Sequence, residues 1–355
     1  MKTKRILFID FSTRLKSIVD LVTGARGGMV SSLFKVSDAL SQIGHSVHVV
    51  SDISKPGITG AGVSWLTENT FDSSIRYDAL IANRGAGYAF SDIKAKHRVL
   101  WTHDLPHNGF AVEPKTLNLY NRVVFMSRYA ERVWRKFFKT IGKSALIPNG
   151  VDKDLFCPRD KVLGTLVYIS APNRGLKRLP LIFEALKHRS NQGLWFYAYS
   201  NMAKLHPGEV LNAEDDGFSL AYKEVKESEV DLKDPIPQKD LAVKLGEAGL
   251  MILPTDYPEI CSNSILQSLA SGTPVITTGN LGSAGEWIKH GKNGMLTEFH
   301  PVDYMIHSVE MVRNALEVLN NPAKHRKMMQ AAANTKNILT WEQVGKKWDK
   351  MIRSL

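Results

Sequence analysis

Glu259 and Gln267 stand eight residues apart, on either side of Cys261-Ser262-Asn263-Ser264. The apolar run Gly249-Leu250-Met251-Ile252-Leu253 precedes them, and Gly272-Thr273-Pro274 follows. Ser and Asn favour helix starts, where they accept from backbone N–H groups, and Gly and Pro favour helix ends. The stretch therefore reads as strand, loop, short helix, turn and strand, with Glu259 just before the helix and Gln267 about two turns along it. Between them, the first helical turn offers unpaired N–H groups and the positive end of the helix dipole. A ligand with hydroxyls at both ends and phosphates in between suits that arrangement, and a nucleotide sugar is such a ligand.

Arg174 and Lys177 lie three apart in a loop that follows a strand and precedes a helix. That is the place where open α/β sheets bind ligands. The Arg fork and the Lys point charge suit one diphosphate. Cations are common in exposed loops, so this pair draws its weight from the second phosphate-compatible element at Ser262–Ser264. Trp101-Thr102-His103-Asp104-Leu105-Pro106-His107 also follows a strand. There His103 either serves a ligand or simply closes the strand end through its ring N–H. Gly27 and Gly28 close a Gly-rich loop before a helix but lack the spacing of a Walker loop or a dinucleotide fingerprint. Cys157 and Cys261 belong to no CxxC or Cys/His cluster, which argues against a zinc site and gives no disulfide framework. No DxD-type acidic pair follows a suitable strand; Asp215-Asp216, Asp231 and Asp234 read as solvated turn residues, so no metal is expected.

The elements that must position these residues alternate. Apolar strands are expected at Ile6–Asp10, Ser46–Val50, Ala79–Ala82, Arg98–Trp101, Arg122–Met126 and Ala145–Ile147, and a helix over Met29–Ile43 ends at Gly44. The pattern restarts with strands at Thr165–Ser170, Leu194–Tyr199 and Gly249–Leu253, separated by helices over Arg178–His188 and Lys239–Ala248. Such alternation predicts an α/β protein with two Rossmann-like, doubly wound parallel-sheet domains. The expected boundary falls within the turn-rich 149–163, giving domains 1–150 and 160–335. The helix 340–355, with Val344, Trp348 and Met351 on one face, is expected to pack back on the first domain. A helix over Ser127–Thr140 places Ala130, Val133, Trp134, Phe137 and Phe138 on one face and Arg128, Arg132, Arg135 and Lys139 on the other. That is either a core-facing helix or one that docks on an anionic membrane. The polar stretch Asn201–Asp234 matches no readable pattern.

The chain has 355 residues, 43% hydrophobic and 23% charged, as in soluble globular proteins. No apolar run approaches the roughly 20 residues that span a bilayer, and Ile6–Asp10 reads as a buried strand, being too short for a leader's apolar segment. A cytoplasmic location follows as the expectation, peripheral at the inner face of the membrane if the 127–143 segment docks there. Lys and Arg number 46 against 35 Asp and Glu, a formal charge of +11. The excess favours an anionic partner, leaving phosphorylated substrates, a membrane surface and nucleic acid open.

Arg174-Gly175-Leu176-Lys177, the Pro254…Glu259…Gln267…Gly272-Thr273-Pro274-Val275 block, the Gly27-Gly28 loop, and Ser127-Arg128-Tyr129 through Ile147-Pro148-Asn149-Gly150-Val151-Asp152 occur in an order that resembles retaining glycosyltransferases of the GT-B fold, the large group of sucrose, glycogen and lipopolysaccharide glycosyltransferases. The resemblance implies two domains facing a cleft, the first for the acceptor and the second for the donor. It implies that Arg174 and Lys177 bind the donor diphosphate, that Glu259 contacts donor sugar hydroxyls, and that amides over Cys261, Ser262, Asn263 and Ser264 meet sugar or phosphate. It further implies that His103 positions a sugar hydroxyl, with Asp104 orienting it or touching the acceptor, and that Gly27 and Gly28 let backbone approach phosphate or acceptor. A second Glu usually holds the ribose diol where Gln267 stands here; an amide still hydrogen-bonds a diol but lacks a carboxylate's charge. No cofactor is implied beyond the donor, a UDP-sugar by preference and a GDP-sugar as the alternative. The acceptor would be a glycan, a lipid-linked or a polyanionic hydroxyl compound. An inverting transferase or a sugar-nucleotide epimerase is the nearest competing reading. A noncatalytic nucleic-acid or membrane-binding protein is the competing reading of another class.

Overall fold

The computed structural model describes residues 2–25, 27–85, 92–106, 114–205, 217–301 and 303–355. They divide into two compact units, Met1–Gly150 with Leu339–Leu355, and Val151–His206 with Val210–Ile338. Asp215 and Asp216 lie outside the described residues, as does His107.

The first unit is built on strands β1 (Arg5–Ser17), β2 (Ser46–Lys55), β3 (Gly57–Ile58), β4 (Ser64–Leu66), β5 (Tyr77–Asn83), β6 (Ala95–Trp101), β7 (Arg122–Phe125) and β8 (Ser144–Leu146). Their order is β3-β4-β2-β1-β5-β6-β7-β8. All neighbours are parallel except β3 and β4. Parallel strands are covered on both faces, which explains why Ile6, Leu7, Phe8 and Ile9 in succession are all buried. β1 runs on past Asp10, with a register shift against β2 between Asp10 and Leu15. Chain order reverses between β1 and β5, so a crevice is expected at their carboxyl ends.

The last helix, Trp341–Arg353, opens with a capping box of Thr340 and Gln343 and lays its apolar face on this unit. Its Trp348 ring sits 4.9 Å from Trp101 and 6.2 Å from Phe8. Its Gly345 allows close approach to the helix Gly28–Gln42, since a Cβ there would lie 2.7 Å from the Ala39 methyl. His45 is buried: its Nδ1 accepts from the Lys4 N–H, and its Nε2 lies 2.8 Å from Asp349 of that helix.

The helix Arg128–Phe137 buries Ala130 and Trp134. Phe137, expected on its core face, is instead 59% exposed, while Phe138 beyond the helix end takes the buried position. The chain leaves helical geometry at Phe138, where ψ is 102°, and that turn swings Phe138 inward in place of its neighbour.

β9 (Gly150–Val151) and β16 (Leu339–Thr340) form a separate two-stranded ladder. The second unit carries β10 (Val162–Tyr168), β11 (Trp195–Tyr199), β12 (Asp231–Lys233), β13 (Ala248–Leu253), β14 (Val275–Thr278) and β15 (Gly294–Thr297), in the order β12-β11-β10-β13-β14-β15 and parallel throughout. Here the order reverses between β10 and β13. The stretch Asn201–Asp234, unreadable from sequence, supplies an edge strand and the helix Ser219–Glu227. Asp231 and Asp234 are engaged by Lys233 and Lys204 respectively. Among the described residues no helix is long and apolar enough to cross a membrane.

Candidate functional site

Two loops leave the switch point of the second sheet. The first follows β10 as two 3₁₀ turns, Pro172–Arg174 and Leu176–Arg178, hinged at Gly175. Gly175 has φ of +96°, and a Cβ there would collide with the Pro254 carbonyl oxygen, so both backbone conformation and close approach require glycine. The second loop follows β13 and runs from Pro254 to Ser262 before the helix Asn263–Ala270. Gly272, in left-handed geometry with φ of +69°, ends that helix.

Arg174 and Glu259, eighty-five residues apart in sequence, meet where these loops converge. Nε of Arg174 donates to Oε1 of Glu259 at 2.5 Å, and the guanidinium stacks 3.6 Å from the Tyr257 ring centroid. Burial works against the Arg174 charge, but the Glu259 carboxylate, together with Tyr257 and Tyr168, more than offsets it and holds the pKa above its ordinary value. The two guanidinium NH₂ groups make no hydrogen bond among the described residues. Glu259 is fixed from behind as well. Gly282, with φ of +88°, packs so closely that a Cβ would lie 2.7 Å from the Glu259 backbone, and Ser283 N–H donates to the Glu259 carbonyl at 2.7 Å.

Lys177 is exposed, its ammonium 5.9 Å from the Tyr304 ring centroid. Cys261 and Ser262 are buried, and Ser262 occupies the helix-start position without making a side-chain cap. Ser264 Oγ donates to the Ile169 carbonyl at 2.9 Å, tying the helix start to the end of β10. Gln267 Nε2 donates to Gln238 Oε1 at 2.8 Å. Thus one unit brings together Arg174, Lys177, Glu259, Cys261–Ser264 and Gln267. His103, Asp104, Gly27 and Gly28 lie in the other.

In that first unit, Asp104 receives the Arg84 guanidinium at both oxygens, and its backbone carbonyl accepts from Trp134 Nε1 at 2.9 Å. Asp104 is thus turned to Arg84 and does not hydrogen-bond His103, which corrects the expectation that it orients the ring. The ring of His103 packs 4.4 Å from Trp101, and its Nε2 is buried without a partner. Burial, and then the Arg84 charge, push its pKa down to about 3, so the ring is neutral. Gly27 precedes the helix Gly28–Gln42 in extended conformation, and its carbonyl accepts from Ser31 N–H at 3.1 Å.

Sequence reading missed Tyr257, Gln238, Gly282 and the buried cluster around Arg178. One residue beyond Lys177, Arg178 points inward, donating to the Pro254 carbonyl at 3.0 Å and to Asp256 at 2.7 Å. It also lies 3.1 Å from His307 Nδ1. His307 Nε2 lies 3.1 Å from Thr278 Oγ1 and 3.3 Å from Thr297 Oγ1. Tyr257 is the one of these with a local signal, being an aromatic two residues before Glu259. Among the described residues no cluster of three or more His, Cys, Asp or Glu side chains could hold a metal.

Two α/β units, each built on a largely parallel sheet with a switch point, are the architecture of the GT-B class. The structure superimposes on sucrose-phosphate synthase from Thermosynechococcus elongatus with a TM-score of 0.77 and 16% identity, covering 99% of this chain and 98% of that one. It matches HepE from Anabaena in complex with UDP and glucose with a TM-score of 0.70 and 16% identity, over 99% and 100% of the two chains. WaaG, a glycosyltransferase involved in lipopolysaccharide biosynthesis, matches with a TM-score of 0.67 and 11% identity, over 98% and 99%. Residues 208–314 match the family described as glycosyl transferases group 1. No curated protein sequence matches the chain. The chain has the two-unit fold of these structures, and a stretch of its second unit matches a glycosyltransferase family.

The buried cluster has a pH signature. Burial, followed by the Arg178 charge, lowers the His307 pKa to about 4 from the 6.5 of a free histidine. Between those values the unfolded chain binds the proton and the folded one does not. Stability from this group is therefore complete above pH 6.5 and is lost as pH falls towards 4, by up to roughly 3 kcal/mol. Urea denaturation at pH 7 and pH 5 should show a loss in the native protein that His307→Gln reduces, in a range where carboxylates contribute little. Equal pH slopes for the two proteins would contradict the assignment.

Proposed function

We propose that the protein transfers a sugar from a nucleoside-diphosphate sugar, with a UDP-sugar favoured, to a hydroxyl acceptor with retention of anomeric configuration. The observation that carries this reading is the Arg174–Glu259 pair, held on Tyr257 beside the start of the helix Asn263–Ala270. It sets a cation with two uncommitted NH₂ groups beside a carboxylate. The cation suits a diphosphate and the carboxylate suits sugar hydroxyls. The similarity to HepE, whose structure holds UDP and glucose, supports a donor of this chemistry.

In the reaction, the bond between the anomeric carbon and the diphosphate oxygen breaks. The acceptor oxygen bonds to the same face, and its proton leaves with the diphosphate. Negative charge grows on the leaving group, so Arg174, Lys177 and the helix-start amides act where electrostatic stabilisation is most effective. Glu259, clamped by Gly282 and Ser283, orients the donor sugar. His103, neutral and in the first unit, would meet a sugar hydroxyl without adding charge.

A membrane-associated setting is a second reading, favoured by one observation. Phe137 is exposed on a helix whose Arg128, Arg132 and Lys136 are exposed too. An aromatic ring among cations suits an anionic bilayer surface at which lipid-linked acceptors reside. Vesicles containing phosphatidylglycerol should bind the protein in flotation assays, and Phe137→Ser should weaken binding several-fold. Equal binding by both proteins would remove this helix from the contact.

Arg174→Ala should abolish transfer and sharply weaken UDP binding by calorimetry while the protein stays folded. The native product's anomeric configuration, read by NMR, should match that of the donor. Undiminished turnover in the variant, or an inverted product, would defeat the corresponding part of the reading. If Gln267 holds the ribose, Gln267→Glu should change donor KM more than kcat. A change confined to kcat would place Gln267 elsewhere in the cycle.

A further inference from the structure

The helix Asn263–Ala270 is tied at both ends to β10. At its start, Ser264 Oγ donates to the carbonyl of Ile169, the first residue after the strand. At its finish, Lys161, the last residue before the strand, donates from Nζ to the Ser271 carbonyl at 2.8 Å. The same ammonium donates to the Leu245 carbonyl at 3.0 Å, near the end of the helix Gln238–Glu247, and to Thr273 Oγ1 at 2.6 Å. Three N–H donors thus meet three acceptors, two of them carbonyls at helix ends, where the helix dipole favours a cation.

The two helices that finish together on Lys161 begin in different places. One opens from the loop that carries Glu259. The other opens at Gln238, whose Oε1 accepts from Gln267 Nε2 at 2.8 Å. Arg174 is delivered from the far end of β10, in the turn Pro172–Arg174. A helix pinned only at Ser264 is free to swing about that point, whereas a second pin on the same strand fixes its direction relative to Arg174. A swing of about 10° would turn the first-turn N–H groups by the same angle and carry Gln267, about 4.5 Å along the axis from Ser264, by about 0.8 Å. Binding geometry has to be held more tightly than that, to about 0.5 Å.

Lys161 also makes no ion pair among the described residues, and burial lowers its pKa to about 7 from 10.5. Between those values the unfolded chain holds a proton that the folded one has released, so the charge works against folding. An apolar side chain would fill the same space without that cost. We infer that Lys161 is a positioning residue for the donor site: by fastening the end of the helix Asn263–Ala270 to β10, it aims the helix-start N–H groups and Gln267 from about 12 Å away, the length of the helix. This rests on the donor reading above, which it extends to a residue that touches no ligand.

Calorimetric titration of the full chain with UDP, and with GDP in parallel, tests this. Lys161→Met keeps an unbranched stem and removes the ammonium. Nucleotide affinity should fall about fivefold in protein that urea denaturation shows to be folded. Lys161→Arg, which keeps the cation and its donors, should retain most of the affinity. Thr273→Val removes one of the three acceptors and leaves the charge, so the test stands even where Lys161→Met does not fold, and a loss of about threefold is expected. A role in folding alone predicts a changed urea midpoint with unchanged nucleotide affinity, and that result in the folded variants would overturn the inference. An equal loss in Lys161→Arg would trace the effect to packing and overturn it as well. Failure of the donor reading shows separately, as absence of UDP and GDP binding to the native protein.

Discussion

The ion pair between Arg174 and Glu259 is the constraint on which the second unit depends. Neither charge is well hydrated, and a partly buried charge is tolerated only when paired and held. Holding them takes elements from three places in the chain. The Gly175 hinge passes beneath Pro254 and delivers Arg174, Tyr257 gives the guanidinium a face to lie on, and Gly282 presses against the Glu259 backbone. The sheet makes this possible by reversing its order between β10 and β13, so that the loops after the two strands converge. Removing Arg174 would leave Glu259 with an unpaired charge, so the pair serves the loop geometry as well as any ligand.

Behind this pair lies a second, more deeply buried layer around Arg178 and His307. Lys177 and Arg178 are consecutive cations with opposite fates. Lys177 stays in solvent, while Arg178 is buried and joins Asp256, the Pro254 carbonyl and His307. The reason is angular: consecutive residues in a 3₁₀ turn point about a third of a turn apart, so one faces solvent and the next faces the sheet. Lys161 does comparable work at the other end of the motif helix. Its ammonium donates to the carbonyls of Leu245 and Ser271 and to Thr273 Oγ1, closing two helix ends at once.

What could be read from the sequence follows from the range of each interaction. The strand-helix alternation, the helix at Asn263–Ala270 and its Gly272 stop are set by neighbouring residues, and the fold was legible from them. Arg174 and Glu259 could be singled out because each sits in a loop with a recognisable local form, although their contact spans eighty-five residues. Gln238 could not, because nothing near it signals that Gln267 will be its partner. His307 looks like any helical histidine until the sheet brings Thr278, Thr297 and Arg178 around it. Phe137 went the other way: helical spacing put it with Trp134, but the helix ends there and Phe138 takes the buried place.

The two units share one architecture and differ in the polarity of their switch points. In the second, Arg174 balances Glu259 and Arg178 balances Asp256, which leaves Lys177 as the surplus charge at the loop. In the first, Arg84 pairs with Asp104, while the donors to Asp10 among the described residues are Ser12 and Asn83, both neutral. The overall charge of +11 hides this difference, because net charge describes the whole surface and not a crevice. Among the described residues the two sheets thus steady their carboxylates in different ways: ion pairs hold Glu259, Asp256 and Asp104, whereas hydroxyl, amide and backbone N–H donors hold Asp10.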